Sequence, residues 1–278
     1  MGSGADVAAS MMTLGALALV ILAHVVSATL WGARPIEERV AREEGLPLLG
    51  HAPMQAVYRA LLPVARAFIA LGIGANAITL GTLAFAAAAA TLFATGHFGL
   101  GAAVACVGAL GDAVDGFVAR ETKTTSRFGQ LLDTTVDRYV DALLLGGVAV
   151  FVRQDVVLLV LVLGAIVGGF MVSYASSVLR EIGVVGHQGP MRRAHRLAYV
   201  LGGAVLVPFT SDLLPGASLA LQMAPLVLAL AAIAVLGNVS SVRRLLVAAR
   251  LADGASPDAA PPTLKLVRQG RGAHRTAR

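Results

Sequence analysis

The chain is short of the features that mark a soluble domain. Only 14% of its 278 residues are charged and 5% are aromatic, with a single Trp, whereas charge in soluble proteins runs near a quarter of the residues. Its one cysteine, Cys106, excludes an intrachain disulfide, and its place in an apolar run argues against a thiol nucleophile. Acidic residues are outnumbered 16 to 22 by Lys and Arg. Nowhere do these bases interleave with aromatics on one surface, which excludes a nucleic-acid partner; the excess suits loops facing anionic lipid. What is present in quantity is apolar sequence, 57% of the residues with a mean hydropathy of +0.78. These proportions define an integral membrane protein.

Residues 1–32 hold a first span, Met11 to Trp31, with Trp31 at an interface. No Lys or Arg precedes it to form the n-region of a signal peptide, so it reads as a retained helix. His24 has no ligand partner at helical spacing and reads as a packed histidine. Residues 33–75 comprise a mixed-charge linker and an amphipathic helix, Met54 to Leu71, bent by Pro63. It is expected in the membrane interface, although a cytoplasmic helix packed on the bundle would share the pattern.

Residues 76–248 form the membrane domain. Spans are expected over Ala77 to Thr95 with Asn76 as cap, Phe98 to Arg120, Phe128 to Phe151, Val156 to Val178, Leu197 to Phe209 if extended back to Arg193, and Ala217 to Val242. Residues 249–278 read as a basic, disordered cytoplasmic tail. The expected fold is all-α, a polytopic membrane helix bundle with a six-helix core, an extra N-terminal span and an interfacial helix. Alternation of the spans places 21 of the 22 Lys and Arg residues on one side, leaving Arg153 opposite. The positive-inside rule makes that side the cytoplasm of a multi-pass cell-membrane protein whose N-terminus is outside. Small residues at Gly146, Gly147 and from Gly164 to Gly169 would let helices approach, inside the bundle or at the seam of a homodimer.

Four aspartates interrupt the apolar pattern: Asp112, Asp115, Asp133 and Asp137. Each costs about 2.5 to 3.5 kcal/mol in a span, so four in one neighbourhood mark a site. On a helix, Asp115, Gly116 and Ala119 lie within about 60° of Asp112, and Asp133 and Asp137 share a face of the next helix. If those helices are antiparallel neighbours, four carboxylates converge. With no His or Cys nearby, oxygen-only ligation selects hard divalent ions, Mg²⁺ or Mn²⁺. Two such ions suit displacement at phosphorus. Gly116 and Ala119 leave room for a ligand, and Arg120 and Lys123 add positive charge.

The order Asp112, Asp115-Gly116, Ala119-Arg120, Gly129, Asp133, Asp137 resembles, at all eight fixed positions, the signature of the CDP-alcohol phosphatidyltransferase family. The resemblance covers roughly Ala65 to Val242 and leaves the first span without a counterpart. It implies transfer of a phosphatidyl group from CDP-diacylglycerol to a small alcohol, with release of CMP. It further implies that the four aspartates bind two divalent ions, that Gly116, Ala119 and Gly129 line the cytidine pocket with Arg120 near the phosphates, and that Asp137 takes the acceptor's proton.

Before the first core helix the family often shows Gly-Ile-x-Pro-Asn-x-Ile-Thr; here Gly72 to Thr79 match it with Ala75 at the proline. The segment from Gly189 to Arg196 resembles the Gly-x-x-x-Arg-x-x-Arg of members that use phosphorylated polyols. On that resemblance Lys123, Arg138, Arg193 and Arg196 are candidates to hold an acceptor phosphate, while the arginines also satisfy the positive-inside rule alone. His195 reads as a loop histidine. Ser176 stands where such members often carry a base, which counts against inositol phosphate as acceptor. Alternatives within the family are an unphosphorylated acceptor or a soluble CDP-alcohol donor. Outside it, a transporter would explain buried aspartates but not Gly116, Ala119, Arg120 and Gly129 at their spacing, and no inverted repeat supports it. A non-catalytic membrane scaffold would tolerate Asp137→Asn.

Overall fold

A computed structural model describes residues 4–31, 52–182, 184–185, 191–252 and 267–268. The linker up to residue 51, the side chains of His24 and Trp31, and nearly all of the tail lie outside the described residues. The elements are helices α1 (Gly4–Trp31), α2 (Ala52–Ala70), α3 (Ala75–Ala94), α4 (Phe98–Glu121), α5 (Arg127–Phe151), α6 (Val156–Glu181), α7 (Arg193–Leu213), α8 (Leu219–Gln222) and α9 (Ala224–Ala252). Two-residue strands β1 (Val184–Val185) and β2 (Val267–Arg268) pair antiparallel.

Among the described residues five helices, α1, α3, α4, α6 and α9, are long and apolar enough to cross a membrane. Helices α5 and α7 have the length, 25 and 21 residues, but are more polar. Asp133, Asp137, Arg138 and Asp141 lie on α5, and Arg193 and Arg196 on α7. The seven expected spans thus divide into five helices apolar enough to cross a membrane and two that are less apolar. The last expected span is broken: α8 stops at Gln222, and α9 restarts with Pro225 in its first turn, where a missing N–H is tolerated. Helix α9 then continues to Ala252, well past Val242.

The chain forms two compact units, residues 1–163 with 197–230, and residues 164–196 with 231–278. In the first, α3 is the shared spine. Helices α4 and α5 each pack extensively on α3, and α1 and α2 pack on α4. Glycines permit the close approach. A Cβ on Gly101 would lie 2.6 Å from the Phe93 ring, and one on Gly111 would lie 2.9 Å from the Thr82 methyl. On α5, Gly147 is pressed against the backbone of Ala90. Where lipid removes the hydrophobic drive for helix pairing, such contacts supply the attraction. Helix α2 adds Ala65, packed with Ile78, Val114 and Val118, and leaves Arg66 exposed.

Turn chemistry sets the ends of the spine. At Gly72 (φ 71°) α2 closes with Ile73 N bonded to the Phe68 carbonyl and Gly72 N to that of Ile69, the pairing that a left-handed residue after a helix allows. Gly96 (φ 85°) repeats it after α3.

Helix α1 starts at Gly4, earlier than expected, because its first turn has a docking role. Asp6 is 1% exposed and its Oδ1 accepts from Leu100 N at 2.9 Å. The residue preceding α4, His97, makes no side-chain cap bond, so Asp6 caps α4 from another helix. Gly99 lies against the Asp6 carbonyl and the Ser10 hydroxyl, with no room for a Cβ. Helix α1 also packs on α2.

In the second unit, the 164–181 part of α6 packs on the 231–252 part of α9. A Cβ on Gly168 would lie 2.8 Å from Asn238 Nδ2, which donates to the carbonyls of Gly164 at 3.2 Å and Ala234 at 2.7 Å. Gly147 and Gly168 therefore serve packing within the chain.

Candidate active site

Helix α3 begins after Gly74, whose extended backbone (φ −75°, ψ 155°) precedes the first turn without a side-chain cap. Asn76 is therefore not the cap expected of it. It lies inside the first turn, three residues before Thr79, and both line a cavity of about 200 Å³. Helix α4 supplies Asp115, Gly116, Ala119 and Arg120 to the same cavity, and α5 supplies Gly129, Gln130 and Asp133. Ser126 caps α5, accepting from Gly129 N at 3.0 Å. A Cβ on Gly129 would sit 3.2 Å from the Ser126 hydroxyl and 3.4 Å from Asn76 Oδ1, which explains a glycine on this wall.

Three of the four aspartates converge. Carboxylate oxygens of Asp112, Asp133 and Asp137 lie within 4.8 Å of one another. Charges about 4 Å apart repel by roughly 4 kcal/mol at an effective dielectric of 20, so the cluster favours a shared cation. Oxygen donors alone, all three half-buried, fit a hard divalent ion, and Asp133 also lines the cavity. Asp115 is outside this triad. It is 6% exposed, and its Oδ2 accepts from Thr79 Oγ1 at 2.6 Å. The expected convergence of four carboxylates is thus three plus one, with Asp115 turned to the Thr79 hydroxyl of α3.

The other candidates separate by place. Gly116, Ala119, Arg120 and Gly129 share the cavity with Asp115 and Asp133. Lys123 and Arg138 belong to the first unit but are not among the residues lining the cavity. Lys123 is exposed and occupies the left-handed turn after α4, at φ 55°, a position that favours glycine. Arg193 and Arg196 belong to the second unit. Arg196 is 5% exposed, donates from Nη1 to the Met191 carbonyl at 2.9 Å, and lies against Gly169. His195 is buried in the first turn of α7, not in a loop as expected.

Sequence reasoning passed over Arg244. It is 3% exposed on α9, donating to the Val172 carbonyl at 3.2 Å and to Ser176 Oγ at 2.7 Å. Its positive charge therefore stands beside the serine whose lack of charge had counted against a phosphorylated acceptor. The signal available is a cation far along an apolar helix, whose side of the membrane the positive-inside rule alone explains.

Apolar helices of membrane-spanning length that carry an acidic triad able to hold a metal ion describe a membrane-embedded, metal-binding protein. The family model of CDP-alcohol phosphatidyltransferase matches residues 73–249, and the chain belongs to that family. It is a multi-pass membrane transferase of phospholipid synthesis. The phosphatidylinositol phosphate synthase of Mycobacterium marinum is 35% identical over 167 residues, 59% of this chain and 70% of that protein. The archaetidylinositol phosphate synthase of Pyrococcus horikoshii is 37% identical over 114 residues, 40% and 58% of the two chains. Two crystal structures of the Mycobacterium tuberculosis phosphatidylinositol phosphate synthase share 28% identity with it. The one with CDP-DAG bound has a TM-score of 0.59 and covers 68% of this chain and 94% of that one. The one in complex with manganese and citrate has a TM-score of 0.58, covering 67% and 87%.

Proposed function

We propose that the protein transfers the phosphatidyl group of CDP-diacylglycerol to the hydroxyl of a phosphorylated polyol, inositol phosphate first among them, releasing CMP. The observation that carries this reading is the triad of Asp112, Asp133 and Asp137 beside a cavity lined by Gly116, Ala119, Arg120 and Gly129. Asp112, Asp115, Asp133 and Asp137 are assigned to two divalent ions, Mg²⁺ or Mn²⁺. Bound there, the ions would neutralise diphosphate oxygens and make the acceptor hydroxyl more acidic.

The protein's own groups do the rest. Gly116, Ala119 and Gly129 leave space for cytidine, and Arg120 offsets phosphate charge. The acceptor oxygen attacks the phosphorus that bears diacylglycerol, the bond from that phosphorus to the CMP oxygen breaks, and the acceptor proton passes to a carboxylate oxygen of Asp137. Lys123, Arg138, Arg193 and Arg196 are the candidates for the acceptor's phosphate that the family resemblance names, and the buried Arg244 beside Ser176 joins them. Segregation of Lys and Arg supports an active site facing the cytoplasm; no surface is assigned to a homodimer.

The test supplies purified protein with CDP-diacylglycerol, Mn²⁺ and, separately, inositol phosphate, glycerol phosphate, inositol and serine. CMP release with inositol phosphate is expected. Release only with an unphosphorylated acceptor contradicts the acceptor assignment, and no release with any contradicts phosphatidyl transfer.

A further inference from the structure

We infer that Thr79, on α3, is a positioning residue that fixes the Asp115 carboxylate for metal binding, an inference that rests on the metal assignment above. Three observations converge on it. Thr79 Oγ1 lies 2.6 Å from Asp115 Oδ2 and 3.0 Å from the carbonyl of Ala75. A hydroxyl has one proton, and the shorter contact, to an anion, is the stronger claim on it. Both residues are 6% exposed, so water competes little and the bond acts in a low-dielectric setting.

The second observation is the company Asp115 keeps. Asp112 and Asp133 lie near enough to repel it, and an acid so placed moves away from its neighbours unless something holds it. The third is the architecture. Helix α4 reaches its position through α3, with Gly111 against Thr82, so the Thr79 bond crosses the very interface that sets where Asp115 stands relative to Asp133. Thr79 also lines the cavity with them. A partner that orients a ligating carboxylate is worth about 10- to 100-fold in metal affinity in other sites.

Mn²⁺ binding to the purified protein, read directly by electron paramagnetic resonance without substrate, tests this. Thr79→Val keeps the shape and removes the hydroxyl, and about tenfold weaker Mn²⁺ binding is expected; Thr79→Ser keeps the hydroxyl and should bind close to wild type. In an Asp115→Asn background, adding Thr79→Val should cost nothing further, a non-additivity that general loss of packing would not produce. Mn²⁺ binding by Thr79→Val equal to wild type, or Thr79→Ser as weak as Thr79→Val, overturns the inference. Wild-type protein that binds no Mn²⁺ overturns the metal assignment and this inference with it.

Discussion

Helix α4 meets a buried carboxylate at each end, and the two do different things. At its start Asp6, reaching across from α1, is 1% exposed and bonded to Leu100 N. Near its far end Asp115 is 6% exposed, bonded to a threonine hydroxyl, and close to two more acids. An ionised acid in a span is costly by either account. Asp6 offsets that cost against the positive end of a helix, whose first N–H groups need acceptors anyway. Asp115 stands in a neighbourhood of accumulated negative charge, which only a cation makes favourable. Burial of an acid therefore does not mark a site; the charge of its neighbours does.

The sharpest way to break this contrast is to neutralise one acid from each end. Asp133→Asn should lower CMP release by about 100-fold or more while leaving the melting temperature near wild type, because a ligand is lost and the fold is not. Asp6→Asn should leave turnover per folded molecule unchanged. Equal losses of turnover in both variants would erase the distinction.

Next in size is the docking of α1. Gly99→Leu forces a side chain against the Asp6 carbonyl and Ser10, and should destabilise the protein by about 1 to 3 kcal/mol, read by thermal unfolding in detergent. The cations of the second unit come after it. Arg244→Met should raise the KM for inositol phosphate about tenfold, equivalent to about 1.4 kcal/mol, with the KM for CDP-diacylglycerol little changed. An unchanged acceptor KM would make Arg244 a structural residue. Smallest is the cap itself: Asp6→Ala should cost about 0.5 to 2 kcal/mol of stability.

What could be read in advance followed from periodicity and cost. Long apolar runs placed α2 to α6 within about three residues of their ends, though not the start of α1 or the break before α9, and the costly carboxylates pointed to α4 and α5, where three of them converge. Side-chain partnerships across helices were not legible. Asn76 looks like a cap because Asn before an apolar run often is one, yet Gly74 already provides the extended residue and Asn76 turns to the cavity. Asp112 of α4 meets Asp133 and Asp137 of α5 as two neighbouring helices would allow, but that glycines of α4 and Gly147 of α5 both fit α3 is visible only in three-dimensional packing. Asp6 precedes the segment read as the first span, and its role depends on Leu100, 94 residues away. Arg244 was masked by the positive-inside rule, which accounts for the side of the membrane and not for burial.

The central claim is that the acidic triad works through a bound divalent ion. CMP release from CDP-diacylglycerol and inositol phosphate, measured on chelator-stripped protein as Mn²⁺ is restored, tests it most directly. No turnover is expected without metal, with saturable recovery as it is restored and no recovery in Asp112→Asn at the same Mn²⁺ concentrations. Turnover that persists in the stripped protein, or Asp112→Asn recovering with the wild-type metal dependence, would contradict it.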